Sequence, residues 1–201
     1  DQVSSPMCGI PHHAVTSYVG KLLEAGLKVA IAEQVEDPAK AGGLVRRQVI
    51  RMLTPGTVTE PELIGDGERR WLVALREAGP HVAAAFLEAA SGEFHGTVCA
   101  SAQEARELLA RLRPKEILLP EGAGVDALAV EVLGDPVITF RPSGWFEANR
   151  SEELLRRVLG VGSLRAFELE PGEPLIGAAG ALVEYLSATQ GGVPRHLRAF
   201  E

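Results

Sequence analysis

Residues 7–40 read MCGIPHHAVTSYVGKLLEAGLKVAIAEQVEDPAK, and residues 46–57 read RRQVIRMLTPGT. Over Ala14–Ala25 the apolar side chains recur every three or four positions, which is the spacing of one face of an amphipathic helix. Gly26 follows directly, at the place where a helix most easily ends in a left-handed glycine. The sequence therefore predicts a helix that begins near Ala14 and ends before Gly26.

Two strands are predicted after this helix. Leu27–Val35 is a nearly unbroken apolar run that contains β-branched residues, which is typical of a buried strand. Asp37-Pro38 interrupts the run, and Arg47–Leu53 has the mixed alternation of a second strand that ends at the turn Pro55-Gly56. The predicted order is helix, strand, loop, strand and turn.

The composition suits one large folded domain or two small ones. The chain has 201 residues, and its hydrophobic fraction of 46% is enough to build proper cores. No run resembles a transmembrane segment or a signal peptide, and the first residue, Asp1, is not methionine, so we expect a piece of a longer protein. The only cysteines, Cys8 and Cys99, lie far apart, which favours a reducing cytoplasm over a disulfide framework.

The charge is distributed unevenly along the chain. The formal net charge of −7 argues against nucleic-acid binding by the chain as a whole. Residues 1–60, however, contain six basic and six acidic residues, so the whole excess of acid follows Glu60. An acidic surface binds phosphate poorly and can bind protein well. We therefore expect a division of labour between the two halves.

The second half predicts an α/β domain. Residues 55–70, PGTVTEPELIGDGERR, are rich in proline, glycine and charge and predict a solvated linker. The elements predicted after it are the strands Trp71–Glu77, His81–Glu88 and Glu93–Cys99, a helix from Ser101 to Pro114, the strand Glu116–Leu119, a helix over Val125–Leu133, the strand Val137–Phe140, and helices that begin at Ser151 and Pro174. Hairpin strands followed by alternating helices and strands are typical of an α/β layer.

Several landmarks resemble the MutS family of mismatch-repair proteins. They are GIPHHA at 9–14, EQVEDP at 33–38, RMLTPGT at 51–57, LEAASGEF at 87–94, LLRRVLG at 154–160 and GAAGALVEYLSATQ at 177–190. The resemblance implies an α/β fold class: a partial mixed α/β mismatch-binding domain followed by a ribonuclease-H-like connector domain and a C-terminal helix. The implied parts are the end of the mismatch-binding domain (1–57), a linker (58–70), the connector (71–172) and a helix entering the core and lever region (173–201).

The resemblance also implies a function for a longer parent protein. That parent would bind mismatched double-stranded DNA as a homodimer, use ATP with Mg²⁺, and recruit the protein MutL through its connector. The family's mismatch-reading motif, an aromatic-x-Glu, lies upstream of GIP, and the chain contains no G-x-x-x-x-G-K-[ST] phosphate loop. We therefore expect this piece to bind no cofactor or metal, to contact no membrane and to catalyse nothing.

The loop before the first helix is the first candidate site. The resemblance implies that it lies against the minor groove or the phosphates of DNA. A rival hypothesis is a metal site built from Cys8, His12 and His13, but a tetrahedral site needs four convergent ligands. An ordinary capping or packing role for His13 also stays open. The DNA-proximal candidates are Met7, Gly9, Pro11, His12 and His13.

Three arginines are candidates for phosphate contacts. They are Arg46, Arg47 and Arg51. Strand alternation predicts Arg47 and Arg51 on one face and Arg46 on the other, so the three cannot serve a single groove. The alternative is that they are solvated charges that discourage strand addition at a sheet edge.

A charged helix face is the candidate partner surface. In the helix from Ser151, the apolar spacing predicts an outward face formed by Glu152, Glu153, Arg156 and Arg157. Mixed charge of this kind is typical of inert solvent surface. The resemblance also allows it to be a contact for MutL.

Two alternative functions stay open at this stage. A ribonuclease-H-like fold can hold a metal-dependent nuclease, and Glu88 stands near the position of a first-strand carboxylate. Two-metal hydrolysis needs several acids that hold ions about 4 Å apart, and only Glu116 and Asp135 open the later strands. The second alternative is a MutS relative that acts on recombination intermediates.

Two expectations concern stability. An incomplete first domain leaves a sheet edge exposed, so we expect it to be marginally stable. The tail at 191–201, GGVPRHLRAFE, is expected to be loose.

Overall fold

The computed structural model describes residues 12–37, 43–65, 67–123, 135–192, 194, 196–197 and 199–201, with only the backbone of His12. The helix predicted over Val125–Leu133 lies outside these residues. The described elements are the helices α1 (Val15–Glu24), α2 (Ala102–Leu112), α3 (Ala148–Leu159) and α4 (Pro174–Gln190), and the strands β1 (Val29–Gln34), β2 (Arg47–Leu53), β3 (Trp71–Ala78), β4 (His81–Glu88), β5 (Phe94–Cys99), β6 (Glu116–Pro120) and β7 (Val137–Arg141). The other predicted helices and strands are thus confirmed, except that α3 begins at Ala148 and not at Ser151.

The first part of the chain is a helix packed on a two-stranded hairpin. Gly26 ends α1 with a φ of 75°, and the N–H of Leu27 donates to the carbonyl of Leu22. The buried face of α1, Val19 and Leu23, packs with Leu53 at the end of β2. The predicted left-handed glycine at the helix end is therefore confirmed.

The prediction that β1 is buried is wrong. Within the described residues β1 pairs only with β2, in an antiparallel ladder. Val29 and Ile31 are half-buried against the α1 core, whereas Ala30 and Ala32 on the other face are exposed. An apolar run can belong to a strand that is packed on one side alone, because small residues such as alanine cost little to expose.

The second part is a five-stranded sheet in the order β5-β4-β3-β6-β7. β4 is antiparallel to both β3 and β5, whereas β3, β6 and β7 are parallel to one another. A hairpin followed by parallel strands, with helices packed on the sheet, is the α/β layer that the sequence predicts. Side chains alternate across β3, so Leu72 and Ala74 face the core under α3 and α4, while Val73 and Leu75 face the core under α2.

Helix α4 is the centre of the larger core. Twelve of its 17 residues are buried, and it packs on β3, β4 and α3. Gly180 permits this approach, since a Cβ there would lie 2.2 Å from the Cβ of Ser151. These contacts place α4 in the core of the second domain, and whether the chain leads on into a further domain stays a prediction. Among the described residues, no helix is long and apolar enough to cross a membrane.

The expectation of a loose tail is wrong. Leu197 and Phe200 are buried in the same core as α4, and the Phe200 ring meets Phe94 edge-on at 4.8 Å. The backbone N–H of Glu201 donates to the carbonyl of Phe94, and its carbonyl accepts from Gly96. The described end of the tail, Glu201, therefore pairs with the edge of β5.

The prediction of a solvated linker is wrong at its two ends, which are packed, whereas residues 61, 62, 65, 67 and 69 between them are exposed. Thr54–Val58 is buried, and Val58 joins the core of the first part. The turn closes on itself, because the hydroxyl oxygens of Thr54 and Thr57 lie 2.8 Å apart and the N–H of Thr57 donates to the carbonyl of Thr54. Arg70 is only 2% exposed. Polar groups satisfied within a turn can be buried at little cost, which composition alone does not reveal.

Candidate nucleic-acid interface

The loop before α1 lies mostly outside the described residues. Met7, Gly9 and Pro11 belong to the part that is not described, as does Cys8, and only the backbone of His12 is described. His13 is exposed within the short 3-10 helix His12–Ala14 that leads directly into α1. The DNA-contact, capping and metal hypotheses for this loop therefore stay predictions.

The three arginines of the hairpin occupy different environments. Arg46 and Arg47 are exposed, and the backbone N–H of Arg46 donates to the Glu36 carboxylate. Arg51 is half-buried and its guanidinium forms an ion pair with Glu60. Arg51 is thus already engaged within the protein, whereas Arg46 and Arg47 extend from its surface.

The predicted shared face of Arg47 and Arg51 is wrong. Arg47 stands opposite Gln34 and Arg51 opposite Ile31, and the pairing register shifts between Ile31 and Ala32. Directly paired residues share a face, and residues three apart on a regular strand lie on opposite faces. The extra residue in β2 is a β-bulge, which sequence alternation cannot foresee. Arg51 consequently lies on the face that packs on α1, and Arg47 lies on the exposed face.

The charged face of α3 points outward as its spacing predicts. Glu153, Arg156 and Arg157 are exposed and Glu152 is half-buried, while Leu154 and Leu155 pack inward against the α4 core. The four charged residues, together with Asn149 and Val161, line a surface depression of about 690 Å³. Such a surface can accept a protein partner of mixed charge, and this role stays a prediction.

Glu88 does not stand where a nuclease of this fold would place its first carboxylate. It ends β4, the second strand of the sheet, and its carboxylate accepts a hydrogen bond of 2.6 Å from the N–H of Ser91. This bond closes the turn that joins β4 to β5. Among the residues that the structure describes, no three His, Cys, Asp or Glu side chains are grouped so that they could hold a metal ion.

Two known families match the two parts of the chain that the structure forms, the hairpin with α1 and the five-stranded sheet. The family described as MutS domain I matches residues 1–62, and the family described as MutS domain II matches residues 70–198, which is more than half of the chain. The chain belongs to the MutS family. The second MutS match includes α4, in agreement with the packing of that helix on the five-stranded sheet.

Individual relatives agree with this assignment. The protein named DNA mismatch repair protein MutS from Myxococcus xanthus is 38% identical over 196 residues. Those from Nitratidesulfovibrio vulgaris and Anaeromyxobacter are 38% and 40% identical over 206 and 197 residues. The alignments cover 96%, 100% and 96% of this chain, respectively, but only 22% of each relative. The chain thus spans about a fifth of the length of these relatives.

Proposed function

We propose that this region belongs to a protein that binds mismatched double-stranded DNA, with its first domain near the DNA and its second domain turned toward a protein partner. The observation that supports this most strongly is the match of two consecutive parts of the chain, in order, to MutS domains I and II. The relatives carry the mismatch-repair name, which favours this function over action on recombination intermediates. In this proposal the protein works in the cytoplasm.

The division of roles within the longer protein follows from charge and domain content. Residues 1–60 are neutral overall and carry the exposed Arg46 and Arg47, whereas the acidic excess lies beyond Glu60. We place ATP and Mg²⁺, and the contacts that form a homodimer, in parts of the protein other than these two domains. This region itself acts by binding and positioning and has no catalytic role.

The DNA role is tested by fluorescence anisotropy with matched and mismatched duplexes over a salt series. We expect weak binding that falls steeply with salt, because phosphate contacts release counterions, and no preference for the mismatch. A clear mismatch preference would place the recognition elements within this chain. Absence of binding at low salt would remove the direct DNA contact from this region.

The proposed protein partner is MutL, and its proposed contact surface is the outward face of α3. The supporting observation is an exposed face of both charge signs on a helix whose other side is fixed in the core. Charge complementarity across such a face gives specificity and steers association.

The test reverses the charges of this face in the full-length protein, through Glu152→Lys, Glu153→Lys, Arg156→Glu and Arg157→Glu. We expect loss of MutL binding in the presence of ATP and mismatched DNA. The matched control reverses Glu107 and Arg111, which are exposed on α2 across the sheet. Unchanged MutL binding by the α3 variant, or equal loss in the control, would contradict this assignment.

A further inference from the structure

The amino end of β6 carries a carboxylate that is fully buried between the two domains. Glu116 has 0% exposure, and the first domain supplies three of its partners. The hydroxyl of Thr54 donates to its Oε2 at 2.5 Å and the N–H of Gly56 donates at 3.2 Å. The Lys28 ammonium lies 3.2 Å from its Oε1.

The second domain supplies two more donors to the same carboxylate. Thr139 on β7 and Tyr185 on α4 donate to Oε1 at 2.6 and 2.7 Å. Burial and the adjacent Glu116 charge raise the pKa of the Tyr185 phenol, so its hydroxyl stays protonated and keeps donating. Glu116 therefore contacts the Thr54–Thr57 turn, Lys28 just before β1, Thr139 of β7 and Tyr185 of α4.

The closeness of the turn depends on a missing side chain. A Cβ on Gly56 would lie 2.8 Å from the Leu72 side chain and 2.9 Å from the Cβ of Glu116. Real Cβ atoms do not approach other heavy atoms so closely, so glycine is what lets the backbone N–H reach the carboxylate. The contact therefore depends on residues of both domains, Gly56 in the first and Leu72 and Glu116 in the second.

A second ionic contact flanks the first. Lys115, the neighbour of Glu116, lies 2.7 Å from the Glu68 carboxylate and 4.0 Å from Glu24 at the end of α1. Arg70, whose side chain is only 3% exposed, pairs with the same two carboxylates. Two separate contacts on adjacent residues hold the domains at one angle, because rotation about either contact breaks the other.

We propose that Glu116 is a positioning residue that fixes the orientation of the first domain on the second. Hydrogen bonds are directional, so five donors converging on two oxygens specify one geometry, whereas an apolar contact of equal size permits sliding. The junction therefore has one defined geometry.

The same residues link this junction to the helix face assigned to the partner. Tyr185 belongs to α4, and Gln190 at the end of α4 donates to the carbonyl of Thr57 at 3.1 Å. Gly180 of α4 packs directly on Ser151 of α3. A shift of the turn would thus act on α4 and through it on α3. This coupling rests on the proposed function, whereas the orienting role of Glu116 does not.

The test measures hydrogen exchange of the whole chain without DNA, comparing Glu116→Gln with the parent sequence. We expect exchange of β2 and the Thr54–Val58 turn to rise at least tenfold, while β4 and β5 keep their protection. The matched control is Glu121→Gln, the same change at the exposed carboxyl end of β6. It should change neither region.

A second variant distinguishes loss of the junction from a general destabilisation of β6 by Glu116→Gln. Thr54→Val removes one donor from the first domain and leaves the second domain intact, so it should give the same regional pattern at a smaller amplitude. Exchange that rises equally in both domains for both variants would make Glu116 an ordinary core residue and overturn the proposal. Exchange that rises in neither domain would overturn it as well. Because the exchange experiment contains no DNA, its outcome is independent of the anisotropy experiment that tests DNA binding.

Discussion

At the scale of single residues, Glu68 makes the junction sensitive to acid. Burial opposes ionisation, but the hydrogen bond from Lys115 and the charges of Arg70 and Lys115 outweigh it, so the pKa of Glu68 is lowered below 4.5. A lowered carboxyl pKa contributes stability that is present above the unfolded-state pKa and is lost as the pH falls through the folded-state value.

We therefore predict that Glu68→Gln lowers the urea midpoint at pH 7 and that its difference from the parent shrinks as the pH falls below about 4.5, the usual pKa of this carboxyl. The measurement is urea unfolding of both proteins between pH 7 and pH 3. Glu62→Gln is the control, since Glu62 is an exposed carboxylate in the same segment. A constant difference across the whole pH range would contradict the prediction.

Some residue roles were readable from sequence because they act on near neighbours. Ser101, where the helix was predicted to begin, caps α2 by accepting from the N–H of Glu104, and the Glu104 carboxylate accepts from the N–H of Ala100. Glu116 was seen only as an acid that opens a strand. Its partners Thr54 and Tyr185 lie 62 and 69 positions away, and no local pattern reports a contact at such distances.

At the scale of elements, the crossing of α3 and α4 depends on glycine. A Cβ on Gly180 would lie 2.2 Å from both the Cβ and the Oγ of Ser151. We predict that Gly180→Ala destabilises the second domain by about 1–3 kcal/mol, the usual cost of an overpacked core. The measurement is the urea midpoint followed by tryptophan fluorescence.

A double variant shows whether this clash is the cause. Ser151→Gly removes the two nearest opposing atoms, so we expect Gly180→Ala to cost less in that background. Gly162→Ala is the control, because a Cβ there meets nothing within 4 Å. Equal costs of Gly180→Ala in the two backgrounds would show that contacts other than Ser151 decide its effect.

The elements themselves were largely predictable, and their burial was not. The periodicity located α1, β2 and α4 because helix and strand spacing is a property of the local chain. β1 was expected to be buried, and the tail was expected to be loose. Both depend on what packs alongside, α1 on one face of β1 and the edge of β5 beside the tail, and the spacing of residues within an element does not report its neighbours.

At the scale of the whole molecule, the excess of acid begins after Glu60, close to the start of the second domain. The landmarks from GIPHHA to the last helix predicted the MutS family, and the family comparison confirmed it. The sequence could not show which face of the hairpin is open, because the bulge in β2 reverses the alternation between Arg47 and Arg51. That reversal determines which arginine is available to a duplex.

Substitutions of Arg47 and Arg51 are therefore expected to affect the salt dependence of DNA binding differently. Arg47 is exposed on the open face of the hairpin, whereas Arg51 lies on the face packed against α1 and is paired with Glu60. One phosphate contact contributes a slope of about −0.9 to the dependence of log K on log salt. We expect Arg47→Ala to make the slope shallower by about one such unit, and Arg51→Ala to change it little. The measurement is anisotropy with a matched duplex between about 50 and 200 mM salt, the range over which such contacts are weakened.

The control for this comparison is Arg111→Ala, which removes the same charge from the exposed face of α2 in the acidic half. A general electrostatic attraction would respond alike to the loss of any of the three arginines, since each lowers the net charge by one. Contact through the open face of the hairpin responds to Arg47 alone. A slope lowered by Arg51→Ala and not by Arg47→Ala would place the duplex against the α1 side, and the hairpin would then have to release Arg51 from Glu60 to bind it.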